Sequence, residues 1–136
     1  MNDTMTLTCL IVDDNPAVLR AASELLGRQG ITVVGAATTG EQAVSLTEQL
    51  QPDVVLVDID LGPESGFALA ERLVQGPVTA KTRTILISTH DETDFADLIA
   101  ASPAVGFLSK SALSAPAIRR LLSGRVGATT GRPGRR

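Results

Sequence analysis

Aliphatic runs that end on a chemically active group recur along this chain and leave few folds open to it. Leu10-Ile11-Val12 leads into Asp13 and Asp14, Val54-Val55-Leu56-Val57 into Asp58, and Ile85-Leu86-Ile87 into Ser88. Lys110 follows Val105-Gly106-Phe107-Leu108 by two residues. The runs do not alternate with polar residues, which marks strands covered on both faces. Between them apolar residues recur at helical spacing, and the alternation predicts an α/β domain with a parallel sheet between helices.

Five strand-and-helix units are expected. Strands are predicted over Leu7–Val12 and over residues 32–36, 54–57, 84–88 and 104–108. The first helix is predicted over residues 16–29, with Pro16 in its first turn, Val18, Ala22, Leu25 and Leu26 inward, and Gly30 as its stop. Thr39 and Gln42 form a capping box for the second, whose stripe is Ala43, Leu46 and Leu50 and which Pro52 ends. The third is predicted over residues 65–75, ending at Gly76-Pro77. Asp91 is expected to cap a fourth carrying Phe95, Leu98 and Ile99, which Pro103 closes. The fifth is predicted over residues 114–123 with Ile118, Leu121 and Leu122 inward.

At 136 residues the chain fits one domain, large enough to bury roughly two-thirds of its unfolded surface. Residues 1–123 are expected to form it, and residues 124–136, with Arg125, Arg132, Arg135 and Arg136 and no periodicity, a disordered basic tail. With three Phe and neither Trp nor Tyr, the chain has no aromatic platform for single-stranded nucleic acid. The single cysteine, Cys9, sits in the first apolar run, so an intrachain disulfide is excluded and a reducing compartment is expected. Lacking a signal sequence and any run near the roughly 18 apolar residues of a membrane span, the chain is read as cytoplasmic.

In an open α/β sheet, ligands bind beyond the carboxyl ends of the strands, where the strand order reverses. If the order is 2-1-3-4-5, Asp13, Asp14, Asp58, Ser88 and Lys110 all reach one crevice. Alone, each has a plainer reading: Asp13 to Pro16 as a helix start, Asp58 as a loop acid, Ser88 as a turn residue, Lys110 as a surface lysine. Together they make a site for phosphate and metal. Carboxylates crowded into one cleft repel each other, and a hard divalent cation such as Mg2+ or Mn2+ offsets that repulsion. Asp14 and Asp58 are the expected direct ligands, with Asp13 acting through water. Asp58 is the expected nucleophile, forming an aspartyl phosphate, with Lys110 stabilising the transferred phosphoryl oxygens.

Over residues 8–123 the chain resembles the receiver domain of bacterial two-component response regulators. The Asp13-Asp14 pair, Asp58, Ser88 and Lys110 match that family's acidic pair, phosphoacceptor, switch hydroxyl and lysine, and Phe107 falls at its switch aromatic. The resemblance implies a doubly wound, flavodoxin-like five-stranded parallel sheet of order 2-1-3-4-5. It further implies that a sensor histidine kinase donates a phosphoryl group to Asp58, that Ser88 and Phe107 then move, and that the surface of the fourth helix, fifth strand and fifth helix changes. The Asp60 backbone carbonyl would be a metal ligand, and the Asp60 side chain would affect phosphoryl lifetime. Asp94 and Asp97 could pair with Arg119 and Arg120 across a two-fold homodimer, or simply be solvated.

Two positions depart from the family pattern. Gly62, not proline, stands four residues after Asp58, with Pro63 next, so a different loop shape is expected. Ser111 follows Lys110 where many members have proline. His90 is read as an exposed loop residue. The competing enzymatic reading takes Asp58-Ile59-Asp60 as the motif of a haloacid-dehalogenase-like phosphohydrolase, which leaves Asp13 and Asp14 unexplained; a third is a receiver-like interaction module without phosphorylation. A receiver is not a turnover enzyme, and no DNA-binding unit is read in the sequence after Ser123.

Overall fold

The computed structural model describes residues 6–124. Five parallel strands, β1 Leu7–Val12, β2 Ile31–Ala37, β3 Val54–Asp58, β4 Arg83–Ser88 and β5 Gly106–Ser109, lie in the order β2-β1-β3-β4-β5. The expected doubly wound topology is thus the observed one. The predicted tail lies outside the described residues, apart from Gly124.

Period-two geometry sends alternate residues of each central strand to opposite faces. Cys9, Ile11, Val54, Leu56, Ile85 and Ile87 pack under α1 (Pro16–Arg28) and α5 (Ala115–Gly124). Leu10, Val12, Val55, Val57 and Leu86 pack under α2 (Gly40–Leu50) and α3 (Gly66–Gln75), with α4 (Ala96–Ala101) at the margin. Each β1 residue from Cys9 to Val12 is wholly buried, as are Val54 to Val57. Both faces are dry, which is why these runs read as unbroken apolar sequence.

Local sequence sets the helix starts. Asn15 Oδ1 accepts from Ala17 N at 2.9 Å ahead of Pro16, and Thr39 Oγ1 accepts from Gln42 N at 3.1 Å. The return half of the capping box goes one residue further out: Gln42 Oε1 accepts from Thr38 N, not Thr39 N. Ser65 and Ser114 cap α3 and α5 through the amides of Phe67 and Ala117, so these helices start one residue after the predicted position. Gly30, at φ 92°, takes the chain out of α1 through a conformation that suits glycine.

Several packing expectations are corrected. In α1 the buried side chains are Leu19, Ala22 and Leu26, while Val18 and Leu25 are only half-buried. In α2, Leu50 is 42% exposed and Thr47 takes the inward position, its hydroxyl donating to Ala43 O at 2.6 Å. A buried hydroxyl satisfied within its own helix passes for a polar surface residue in a hydrophobicity pattern. Asp91 does not cap an α-helix: it precedes a 3-10 turn, Glu92–Phe95, without a side-chain capping bond, and α4 begins at Ala96. Asp94 therefore sits in that turn and Asp97 in α4, which buries none of its residues fully.

Candidate functional site

The carboxyl ends of β1, β3, β4 and β5 bring the predicted groups to one edge. Asp13 follows β1, held by its amide to Ala37 O at 3.0 Å, and is wholly buried; Asp14 beside it is exposed. Asp58 closes β3 and is 4% exposed, Ser88 closes β4 and is 1% exposed, and Lys110 opens the turn after β5. One carboxylate oxygen from each of Asp13, Asp14 and Asp58 lies within 4.8 Å of the others.

Lys110 crosses the cleft. Its Nζ is 2.6 Å from Asp13 Oδ2 and 3.2 Å from Asp58 Oδ2. Both contacts are ion pairs, and Lys110 also donates a hydrogen bond to Asp58. The other oxygens are fixed by backbone amides. Asp13 Oδ1 accepts from Asn15 N at 2.9 Å, and Asp58 Oδ1 from Asp60 N at 3.1 Å. Such Asx-type contacts hold a carboxylate in one rotamer.

The crowding has an electrostatic cost. Burial raises the Asp58 carboxyl above its usual range; the Asp60 amide opposes this, the Asp13 charge adds to it, and Lys110 opposes it again. Burial works to lower the Lys110 ammonium, but the Asp13 carboxylate and the charge of Asp58 outweigh it and its pKa is raised. A single ammonium reaches two of the three clustered carboxylates, Asp13 and Asp58, and Asp14 has none of its contacts. That donor set, hard oxygens with surplus negative charge beside open solvent at Asp14, fits a magnesium-type divalent cation.

The loop after Asp58 folds back on itself. Asp60–Leu61 pairs antiparallel with Glu64–Ser65 across a tight turn at Gly62-Pro63, with Gly62 at φ 64°. Leu61 anchors this hairpin in the core, and a Cβ on Gly62 would lie 3.5 Å from Asp14 Oδ2. The peptide bond after Lys110 is trans, as are the others among the described residues.

Two residues have more to do here than sequence reasoning assigned. His90 is half-exposed, yet its amide donates to Ser88 Oγ at 2.9 Å and its Nε2 lies 3.6 Å from Asp60 Oδ2. Its place two residues after Ser88 was the available signal. Gly66 packs directly on the backbone of Asp58 and Ile59, where any Cβ would collide, and its amide donates to Ile59 O at 2.9 Å. A glycine opening a helix beside a predicted nucleophile was the clue to that close approach. Phe107 is half-buried against the α2 and α3 side of the sheet.

The chain matches the family described as the response regulator receiver domain over residues 9–122. It belongs to that family. This receiver is 30% identical over 93 residues to the nitrate/nitrite response regulator protein NarL of Escherichia coli (strain K12), covering 68% of this chain and 43% of NarL. It is 29% identical over 104 residues to the DNA-binding transcriptional activator EvgA of the same strain, covering 76% of this chain and 50% of EvgA. The receiver thus spans about half the length of the curated relatives it matches. Among solved structures, a two-component response regulator of the LuxR family from Aurantimonas sp. SI85-9A1 superposes with a TM-score of 0.76 at 28% identity, over 88% of this chain and 87% of that one.

Receivers of two-component systems are signalling domains regulated by phosphorylation, not enzymes that turn over a substrate. The phosphohydrolase reading is not favoured: Asp13 and Asp14 have their place in the cluster, and the Asp60 side chain is 70% exposed beside His90. No helix among the described residues is long and apolar enough to cross a membrane.

Proposed function

We propose that Asp58 is the phosphoacceptor of this receiver and that a sensor histidine kinase supplies its phosphoryl group. The observation that carries the reading is the Lys110 ammonium placed between buried Asp13 and Asp58. A carboxylate oxygen of Asp58 attacks phosphorus on the kinase phosphohistidine; the O–P bond forms as the P–N bond breaks, and the electron pair leaves with the imidazole nitrogen. Asp60 N–H orients the nucleophile, and Lys110 stabilises charge on the transferring oxygens. Asp14, Asp58 and the Asp60 backbone carbonyl, with Asp13 behind them, would hold a divalent cation, Mg2+ or Mn2+, which when bound supplies charge neutralisation at the phosphoryl oxygens.

Ser88 Oγ accepts from His90 N, which leaves its proton to donate to a phosphoryl oxygen. Phe107 turns inward as Ser88 moves, and the face made by α4, β5 and α5 carries the signal to an effector. Bordering Lys110, a groove of about 380 Å³ lined by Val18, Ala21, Leu25 and Leu113 would give the kinase an apolar docking surface. Water slowly removes the phosphoryl group, so the chain acts as a timed switch, with Asp60 influencing its lifetime.

Incubation with a small-molecule phosphodonor and magnesium, followed by intact mass measurement, tests the assignment. The wild-type chain should gain one base-labile phosphoryl group and Asp58→Ala none. A stable phosphoryl adduct on Asp58→Ala would sink it.

A further inference from the structure

Resting on that reading, we infer that Glu64 is a positioning residue for the cation and phosphoryl site, and that Gly40 is the seat built for it. Glu64 Oε2 lies 2.8 Å from Arg72 NH1 on α3, and the same carboxylate covers Gly40 in the first turn of α2, so closely that a Cβ on Gly40 would fall onto it. Three separate pieces of chain meet at this point.

The contact matters because of what Glu64 is attached to. It pairs with Leu61 in the hairpin after Asp58, next to the Asp60 and Ser65 pair. Asp60 holds Asp58 Oδ1 through its amide, and the Gly62 turn borders Asp14. The hairpin therefore bonds one of the three clustered carboxylates and borders a second, and Glu64 ties its outer strand to both neighbouring helices. Leu61 secures the inner strand by burial, and the Glu64 carboxylate ties the outer one to Arg72 and Gly40.

Gly40 is the first residue of α2, where a side chain would have to share space with whatever packs on it. That neighbour is the Glu64 carboxylate. It also lies at the positive end of α2, where negative charge is favoured. Both Glu64 and Arg72 are partly exposed, so the ion pair itself adds little to stability. Its effect is on the position of the hairpin.

Isothermal titration of the full chain with MgCl2, paired with melting in cation-free buffer, tests this. Glu64→Ala should weaken Mg2+ binding about tenfold, as loss of a residue supporting metal ligands typically does. Gly40→Ala should weaken it similarly by evicting the carboxylate, the double variant should be no weaker than either single one, and Glu64→Gln should recover most of the affinity. Melting temperatures should stay close to wild type throughout. Unchanged affinity in Glu64→Ala and Gly40→Ala, additive losses in the double variant, or a lowered melting temperature with normal affinity would each overturn the inference. If Glu64→Ala fails to fold, Gly40→Ala and Glu64→Gln decide it. A wild-type chain that binds no Mg2+ would overturn the proposed cation and phosphoryl site as well, whereas wild-type binding with indifferent variants overturns this inference alone.

Discussion

As the proposed phosphoacceptor, Asp58 would carry conflicting demands: it would have to be buried enough to react as a shielded nucleophile and charged enough to react at all. Its raised pKa records the conflict, and the sign of the pH effect follows. Below the ordinary carboxylate value of 3.8 the group is neutral folded or unfolded; as pH rises through its higher folded value, the stability it contributed in acid is lost. Asp58→Asn should therefore melt higher than wild type in cation-free buffer at neutral pH, by about 3 °C on the scale of single substitutions. The gain should vanish near pH 3 and shrink when magnesium is added to wild type. Equal melting curves across that range would show that the cluster is not strained. Lys110 has the opposite charge and the same direction of shift, so its stabilisation is complete below 10.5 and lost as pH rises through its folded pKa. Lys110→Ala should cost ~2 kcal/mol by denaturant melt, less than the roughly 3–5 of a fully enclosed pair, because this lysine is 18% exposed. The variant should still bind magnesium yet fail to switch after phosphorylation; normal switching would remove Lys110 from the mechanism.

At the scale of elements, the junction of β3 and α3 is the tightest constraint on the site. Gly66 starts α3 against the Asp58 carbonyl, so a methyl group there must push helix and strand apart. Gly66→Ala should lose about 2 kcal/mol, within the range for overpacking, and should phosphorylate more slowly even where it remains folded. A denaturant midpoint and phosphorylation rate both equal to wild type would contradict that packing. The elements also show where sequence was informative. Strands β1, β3 and β4 were legible because double-sided burial demands unbroken aliphatic residues, and the clustering of Asp13, Asp14, Asp58 and Lys110 was legible because these groups begin where those residues stop. The order of the strands was not, since spacing leaves it open; it came with the resemblance. The fourth helix was misplaced because Asp91 has a capping composition, whereas a 3-10 turn and a short, unburied α4 leave little periodic signal. Leu50 and Thr47 were exchanged because an apolar pattern cannot see a hydroxyl satisfied by its own helix. The Glu64, Arg72 and Gly40 contact joins residues 24 and 8 positions from Glu64, a proximity that only the folded hairpin creates.

For the molecule as a whole, the question is how a change at the sheet edge leaves the domain. The proposed output face has acids at one side, Asp94 and Asp97, and bases at the other, Arg119 and Arg120, all exposed, with no ion pair between the two sets among the described residues. An isologous two-fold contact would set each acidic edge against the partner's basic edge and satisfy both at once. Exposed pairs are weak singly and screened by salt, so such a dimer must depend on the face being brought into shape first, as the Ser88 and Phe107 movement would do. Light scattering should then give a monomer for the untreated chain and a dimer with a phosphoryl mimic and magnesium at low ionic strength. Added salt should weaken it, and Arg119→Glu with Arg120→Glu should abolish it without affecting phosphorylation. Adding Asp94→Arg and Asp97→Arg to that variant should restore it, because charge reversal on both edges preserves their complementarity. A mimic-bound wild type that remains monomeric at every salt concentration would rule out this dimer while leaving the chemistry at Asp58 intact.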